Sequence, residues 1–115
     1  MEKTSIIKGS LEMCVLSILK SGKSYGYEIM KELEKFNLEL KGEGSIYPIL
    51  TKLKEKKLVQ VTRELTEQGR ARVYYELNQS GLQYLEQSTE EWISIQQDIQ
   101  ALLQTHNAWP KEERK

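Results

Sequence analysis

The sequence predicts a mainly α fold with a small β-hairpin and a long C-terminal helix. Three observations carry that expectation. Apolar residues recur at helix spacing in several separate stretches, two short segments alternate apolar and polar residues around a polar turn, and a 3.5-residue repeat runs through most of the last third of the chain.

The first helix is expected from about Lys8 to Lys20, where Leu11, Cys14, Val15, Ile18 and Leu19 form one stripe. The run "SGKS" stops it, with Gly22 available for a left-handed cap. Ser24 offers an N-cap for a second helix ending near Asn37, with Ile29, Met30, Leu33 and Phe36 inside and Glu28, Lys31, Glu32 and Lys35 outside. The third helix lies in "GEGSIYPILTKLKEKKLV", residues 42–59, and its stripe is Ile46, Ile49, Leu50 and Leu53. Inside a helix Pro48 would cost about 3 kcal/mol, because it lacks an N–H and its ring clashes with the carbonyl four residues back. In the first turn the N–H groups are unpaired anyway, so the proline sets the helix start at Gly44 or Ser45.

"LVQVTREL" and "ARVYYEL" then read as two strands of a hairpin, with "TEQGR" turning at Gly69. From Asn78, a good N-cap, a long helix is expected to about residue 106. Leu85, Trp92, Ile95, Ile99 and Leu102 follow the spacing of a helix that packs on another helix. Leu82, Tyr84, Ile93 and Leu103 widen the apolar surface. A projecting helix this apolar would be unstable in water, so dimerisation is preferred to the alternative of folding back on its own domain. Trp109 extends the repeat into the tail.

The chain has 115 residues, enough for one domain with an added arm. No apolar run approaches the ~20 residues of a membrane span, and "MEKTSIIKGS" lacks a signal-peptide core, so a cytoplasmic protein is expected. Cys14 is the single cysteine, which excludes an internal disulfide, and it sits on an apolar face as a buried thiol. With one cysteine and one histidine, Cys14 and His106, there is no zinc constellation and no nucleophile–base pair. "GEGS" lacks the spacing and lysine of a phosphate loop, and Glu90 and Glu91 point apart on a helix. No catalytic residue, metal or cofactor is expected, and the chain does not read as an enzyme. Net charge is zero, but its distribution is uneven. Residues 41–73 hold eight basic side chains against four acidic, whereas residues 74–115 hold three basic against seven acidic.

Three short helices, a hairpin and a long helix is the order of a winged helix-turn-helix domain (1–77), a C-terminal dimerisation helix (78–107) and a tail (108–115). In such domains the N-terminal residues of the recognition helix meet the base edges in the major groove. The residues carry a closer likeness. "YGYEI" at 25–29, "EGSIYPIL" at 43–50 with Leu53, "KKLV" at 56–59 and "GRARVYYELNQSG" at 69–81 follow one another across most of the chain. In that order and spacing they resemble the PadR family of bacterial transcriptional regulators. The resemblance implies a winged helix-turn-helix homodimer that represses by occupying double-stranded operator DNA. It also implies the shorter subfamily with a single dimerisation helix, some members of which release DNA on binding a small planar or lipophilic effector. The wing departs from the family pattern: Ala71 stands in a proline slot and Val73 where a basic residue is frequent, so this wing is less basic.

With the stripe of the third helix inside, Tyr47, Pro48, Thr51 and Lys52 turn outward. Ser45 and Tyr47 offer donors to phosphate, Pro48 and Thr51 apolar contact to a thymine methyl, and Lys52 and Lys54 neutralise phosphates. Lys56 and Lys57, at the helix end, complement its dipole. Packing with a wet hydroxyl is the other reading of Tyr47. Arg70 and Arg72 flank the hairpin turn as wing contacts or as solvated arginines. Trp92 is expected either to fill a dimer interface with Leu85, Ile95, Ile99 and Leu102 or to stack on an effector. The competing function is a protein-interaction module that uses the winged domain without sequence-specific DNA binding.

Overall fold

A computed structural model of the chain describes residues 8–38 and 46–111. A 3-10 turn, Lys8–Ser10, leads into α1, Leu11–Lys20. Strand β1, Ser24–Tyr25, precedes α2, Gly26–Lys35, and α3 is Ile46–Glu55. Strands β2, Val59–Leu65, and β3, Ala71–Leu77, form the hairpin, and α4 is Gln79–Thr105. This is the expected mainly α architecture, with one strand more than the sequence suggested.

That strand corrects the start of the second helix. Ser24 is not its N-cap: Ser24 pairs with Tyr75 and Tyr25 with Tyr74, which adds β1 antiparallel to β3 and gives the sheet order β1-β3-β2. Tyr25 is the cap residue instead, and its backbone N–H donates to Oε1 of Glu28 at 3.4 Å, satisfying one donor at the helix start. Along the hairpin, Val59 faces Leu77 and Leu65 faces Ala71, so Val61, Tyr75 and Leu77 lean on the core while Arg72 and Tyr74 share the other face.

The core lies between the three short helices and that inner face. Val15, Leu16, Leu19, Ile29, Leu33, Ile46, Leu50 and Leu53 are essentially inaccessible, and each buried leucine or isoleucine contributes about 2 kcal/mol of transfer free energy. Phe36, expected inside, is 66% exposed. The reason is the helix end. Asn37 turns the chain at φ 60°, and the N–H groups of Asn37 and Leu38 donate to the carbonyls of Glu34 and Leu33. In this left-handed termination the residue after the turn packs back, so Leu38 and not Phe36 closes on the core. Cys14 is half-buried, and burial pushes its thiol pKa up, which disfavours the reactive thiolate.

The helix α3 ends the same way with a less common residue. Lys57 has φ 61°, Leu58 N–H donates to the Leu53 carbonyl at 3.0 Å, and Lys57 N–H to the Lys54 carbonyl at 3.0 Å. The start of α4 is fastened to that end. Asn78 Nδ2 donates to the Lys57 carbonyl at 3.0 Å, Asn78 N–H donates to the Leu58 carbonyl at 3.3 Å, and Asn78 Oδ1 accepts from Gly81 N–H at 2.8 Å. The molecule is elongated, 58 × 27 × 24 Å, because α4 runs for about 40 Å at 1.5 Å per residue. No helix among the described residues is long and apolar enough to cross a membrane.

Candidate nucleic-acid interface

The outward face of α3 follows from its buried one. With Ile46, Leu50 and Leu53 sealed in the core, Pro48, Thr51, Lys52 and Lys54 are exposed, and Tyr47 is half-exposed. Pro48 is the third residue of the helix and breaks no hydrogen bond there. Ser45, expected to cap the helix and meet phosphate, lies outside the described residues.

The Tyr47 side chain is not wholly free. A Cβ built on Gly26 would lie 2.8 Å from its hydroxyl oxygen and 3.0 Å from the ring, so the phenol lies across the first residue of α2. A larger residue at 26 would push the phenol out of this position. Tyr47 also lies near Tyr75, whose hydroxyl pKa is raised by burial and, secondarily, by the charge that Tyr47 would carry. Packing and exposure are combined in this one residue: its ring braces α3 on α2, and half of its surface remains open.

The wing turn is built on Thr66. Its N–H donates to the Arg70 carbonyl at 2.7 Å, its hydroxyl accepts from Arg70 N–H at 3.1 Å, and its carbonyl accepts from Gly69 N–H at 2.9 Å. Gly69 has φ 81°, a conformation that costs other residues. Arg70 and Arg72 are both exposed. They differ in tethering, because the Arg72 guanidinium carbon lies 4.4 Å from the centre of the Tyr25 ring. Lys23 sits 5.1 Å from the Tyr74 ring and is ion-paired with Glu64.

Behind α3 lies a polar triad that spacing did not reveal. Lys56 Nζ donates to Oε1 of Glu12 at 2.8 Å and to the Tyr84 hydroxyl at 3.2 Å, and that hydroxyl donates to the same carboxylate oxygen at 2.9 Å. Lys56 therefore ties the end of α3 to α1 and α4, a role the dipole argument did not assign it. Burial pushes the Glu12 carboxyl up, but hydrogen bonds from Lys56 and Tyr84 and the charges of Lys56 and Lys52 together hold it below 4.5. The sign follows: a carboxyl with a lowered folded pKa stabilises the fold above its unfolded value, and the contribution is lost as pH falls through the folded one. Glu12→Gln should therefore cost about 1 kcal/mol at pH 7 and less at a pH acid enough to protonate the folded carboxyl. Urea midpoints at the two pH values check this. An equal loss at both would mean that the charge contributes nothing.

Along α4 the residues of the repeat separate. Leu85 is 6% exposed and belongs to the core of its own chain, which removes it from the outward seam. Trp92, Ile95, Ile99 and Leu102 are 46%, 57%, 52% and 60% exposed, and Trp109 in the tail is exposed too. The helix leaves the body after Leu85, and among the described residues nothing buries Trp92, Ile95, Ile99 and Leu102.

Comparisons with known proteins agree with this architecture. The model of the transcriptional regulator PadR-like family matches residues 15–87. The transcriptional regulator YqjI of Escherichia coli is 33% identical over 95 residues, which is 81% of this chain and 44% of that relative's length. A Lysinibacillus sphaericus protein described as uncharacterized is 25% identical over 107 residues, 90% of this chain and 97% of its own. The crystal structure of a PadR-like transcriptional regulator from Bacillus cereus superposes with a TM-score of 0.75 at 35% identity, over 87% of this chain and 97% of that one. A transcriptional regulator from Clostridium thermocellum gives 0.75 at 28% identity, over 84% and 96%. The fold, the ordered motifs and these matches lead to one assignment: the chain belongs to the PadR-like family of transcriptional regulators, and its work is DNA-binding regulation.

Proposed function

We propose that the protein is a dimeric repressor acting in the cytoplasm, which occupies a pseudo-palindromic operator and leaves it when a small planar or lipophilic effector binds. The observation that carries this reading is the outward face of α3, where Tyr47, Pro48, Thr51, Lys52 and Lys54 are exposed beside the sealed Ile46, Leu50 and Leu53. Thr51 and Pro48 meet base edges, Lys52 and Lys54 meet phosphates, and Arg70 and Arg72 reach the backbone or minor groove beside them. Ser45 is assigned the phosphate at the helix start. Charge orients the molecule: the basic excess of residues 41–73 faces the duplex, and the acidic excess of residues 74–115 keeps α4 away from it. Two copies joined through Trp92, Ile95, Ile99 and Leu102 present two such helices, so half-sites about 34 Å apart, or a multiple, are expected. The effector is assigned to the paired Trp92 rings, which offer flat apolar faces.

The test is a gel shift with DNA from upstream of the protein's own gene at graded salt. Lys52→Ala should weaken binding and reduce the slope of log K against log salt by about one. An unchanged slope removes Lys52 from the interface. Binding that ignores sequence, or no binding at all, favours a protein-interaction module instead.

A further inference from the structure

Two consecutive residues, Tyr25 and Gly26, sit where the elements of the interface converge. Gly26 takes the Tyr47 ring from α3, and Tyr25 takes the Arg72 guanidinium from the wing. We propose that Tyr25 is a positioning residue for DNA binding, a platform that holds Arg72 ready for a backbone phosphate of the duplex. The assignment rests on the DNA-binding reading above and adds a residue to it.

Tyr25 is itself held on several sides. Its backbone pairs with Tyr74 in the sheet, and its N–H is taken by Glu28. Its ring meets the Tyr74 ring edge-on at 5.4 Å and 75°, and the Tyr27 ring stacks at 6.5 Å and 21°. A ring fixed this way offers a fixed face. A guanidinium held over that face, as Arg72 is at 4.4 Å, is attracted by the ring without spending an N–H donor on it.

The neighbouring cations show what is particular to Arg72. Lys23 also lies over an aromatic ring, that of Tyr74, but its ammonium is engaged by Glu64. Lys31 lies 5.7 Å from the Tyr27 ring and pairs with Glu34 at 3.5 Å. Arg72 makes no ion pair among the described residues, so its charge remains available while its side chain is already ordered. Ordering a long side chain before binding removes much of the entropy loss that a free arginine suffers on meeting its ligand. Arg70, in the turn, has no ring beneath it among the described residues.

A double-mutant cycle on the upstream DNA fragment tests the pairing. Tyr25→Leu is expected to weaken binding about three- to five-fold in the wild-type background and to have no effect in Arg72→Ala. Tyr25→Phe, which keeps the ring, should recover most of the loss. The salt slope of Tyr25→Leu should move toward that of Arg72→Ala. An equal loss in both backgrounds means that Tyr25 acts only through the fold, and it overturns the proposal. If Tyr25→Leu folds poorly, Arg72→Lys carries the test: it keeps the charge without the planar stack, so about three-fold weaker binding supports the platform and wild-type affinity overturns it. Wild-type protein that shifts no upstream fragment overturns the DNA-binding reading, and this assignment with it.

Discussion

Gly81→Ala is expected to destabilise the protein by about 3 kcal/mol or more, although alanine normally stabilises a helix by about 1 kcal/mol over glycine. The sign reverses because of what lies over the Cα. A Cβ at residue 81 would come within 2.1 Å of the Leu58 carbonyl oxygen, 2.7 Å of Leu77 Cδ1 and 3.1 Å of the Leu58 carbonyl carbon. Two of those three atoms are backbone, and they cannot step aside cheaply. Leu58 is held by its N–H bond to the Leu53 carbonyl at 3.0 Å and by the Asn78 N–H at 3.3 Å on its own carbonyl. Relief therefore requires the first turn of α4 to lift off the end of α3, breaking the Asn78 clamp. Since Leu85 docks one turn later, its burial suffers as well. Ser80→Ala, at the exposed neighbouring position, is the control and should stay within about 0.5 kcal/mol of wild type. Urea unfolding of the two variants checks the contrast. A Gly81→Ala protein as stable as the Ser80→Ala control would refute the close approach.

How much of this was legible in the sequence depends on the length of the signal. Stretches with several periodic positions, α1, α3, the hairpin and α4, read correctly, because each turn or alternation repeats the same information. Pro48 added a fixed point, and it stands in the first turn as its chemistry requires. Strand β1 was not legible: two residues carry no alternation, and Ser24 looks like a helix cap until Tyr75 is known to lie beside it. Phe36 was misread because helix periodicity was extended one residue past Lys35, onto the cap position that precedes the left-handed Asn37. The 3.5-residue repeat placed Leu85 with the exposed seam, and spacing cannot tell where a long helix stops touching its own domain. The contacts missed outright join residues distant in sequence. Glu12 with Lys56 and Tyr84, and Tyr25 with Arg72, depend on how the helices and the sheet pack. The glycines gave a usable signal. Gly26 and Gly81 lie inside the quoted motifs, and a glycine within a helical segment asks what approaches it.

Ile95→Asp combined with Ile99→Asp should convert the protein to a monomer and lower its operator affinity by at least about 100-fold. Both side chains are more than half exposed on α4, at 57% and 52%, and neither belongs to the buried cluster of its own chain. The monomer body therefore loses no core contact, and its helical circular dichroism should be retained. In the proposed dimer the same positions face a second apolar helix, where each carboxylate is stripped of water beside its symmetry mate. Desolvation and like-charge repulsion then act together at a cost of several kcal/mol. Operator affinity falls for a separate reason. Once one recognition helix is seated, the second binds its half-site from an effective concentration in the millimolar range, and a monomer loses that gain entirely. Sedimentation velocity and a gel shift on the same samples check both halves of the expectation. The effector assignment is tested alongside, with Trp109→Phe introduced into both proteins so that Trp92 is the sole emitter. A planar dye that quenches Trp92 in the dimer should quench the doubly substituted monomer no more than free tryptophan, because the paired rings are gone. A doubly substituted protein that stays dimeric would move the interface off this face of α4 and remove the basis for two recognition helices at a fixed spacing.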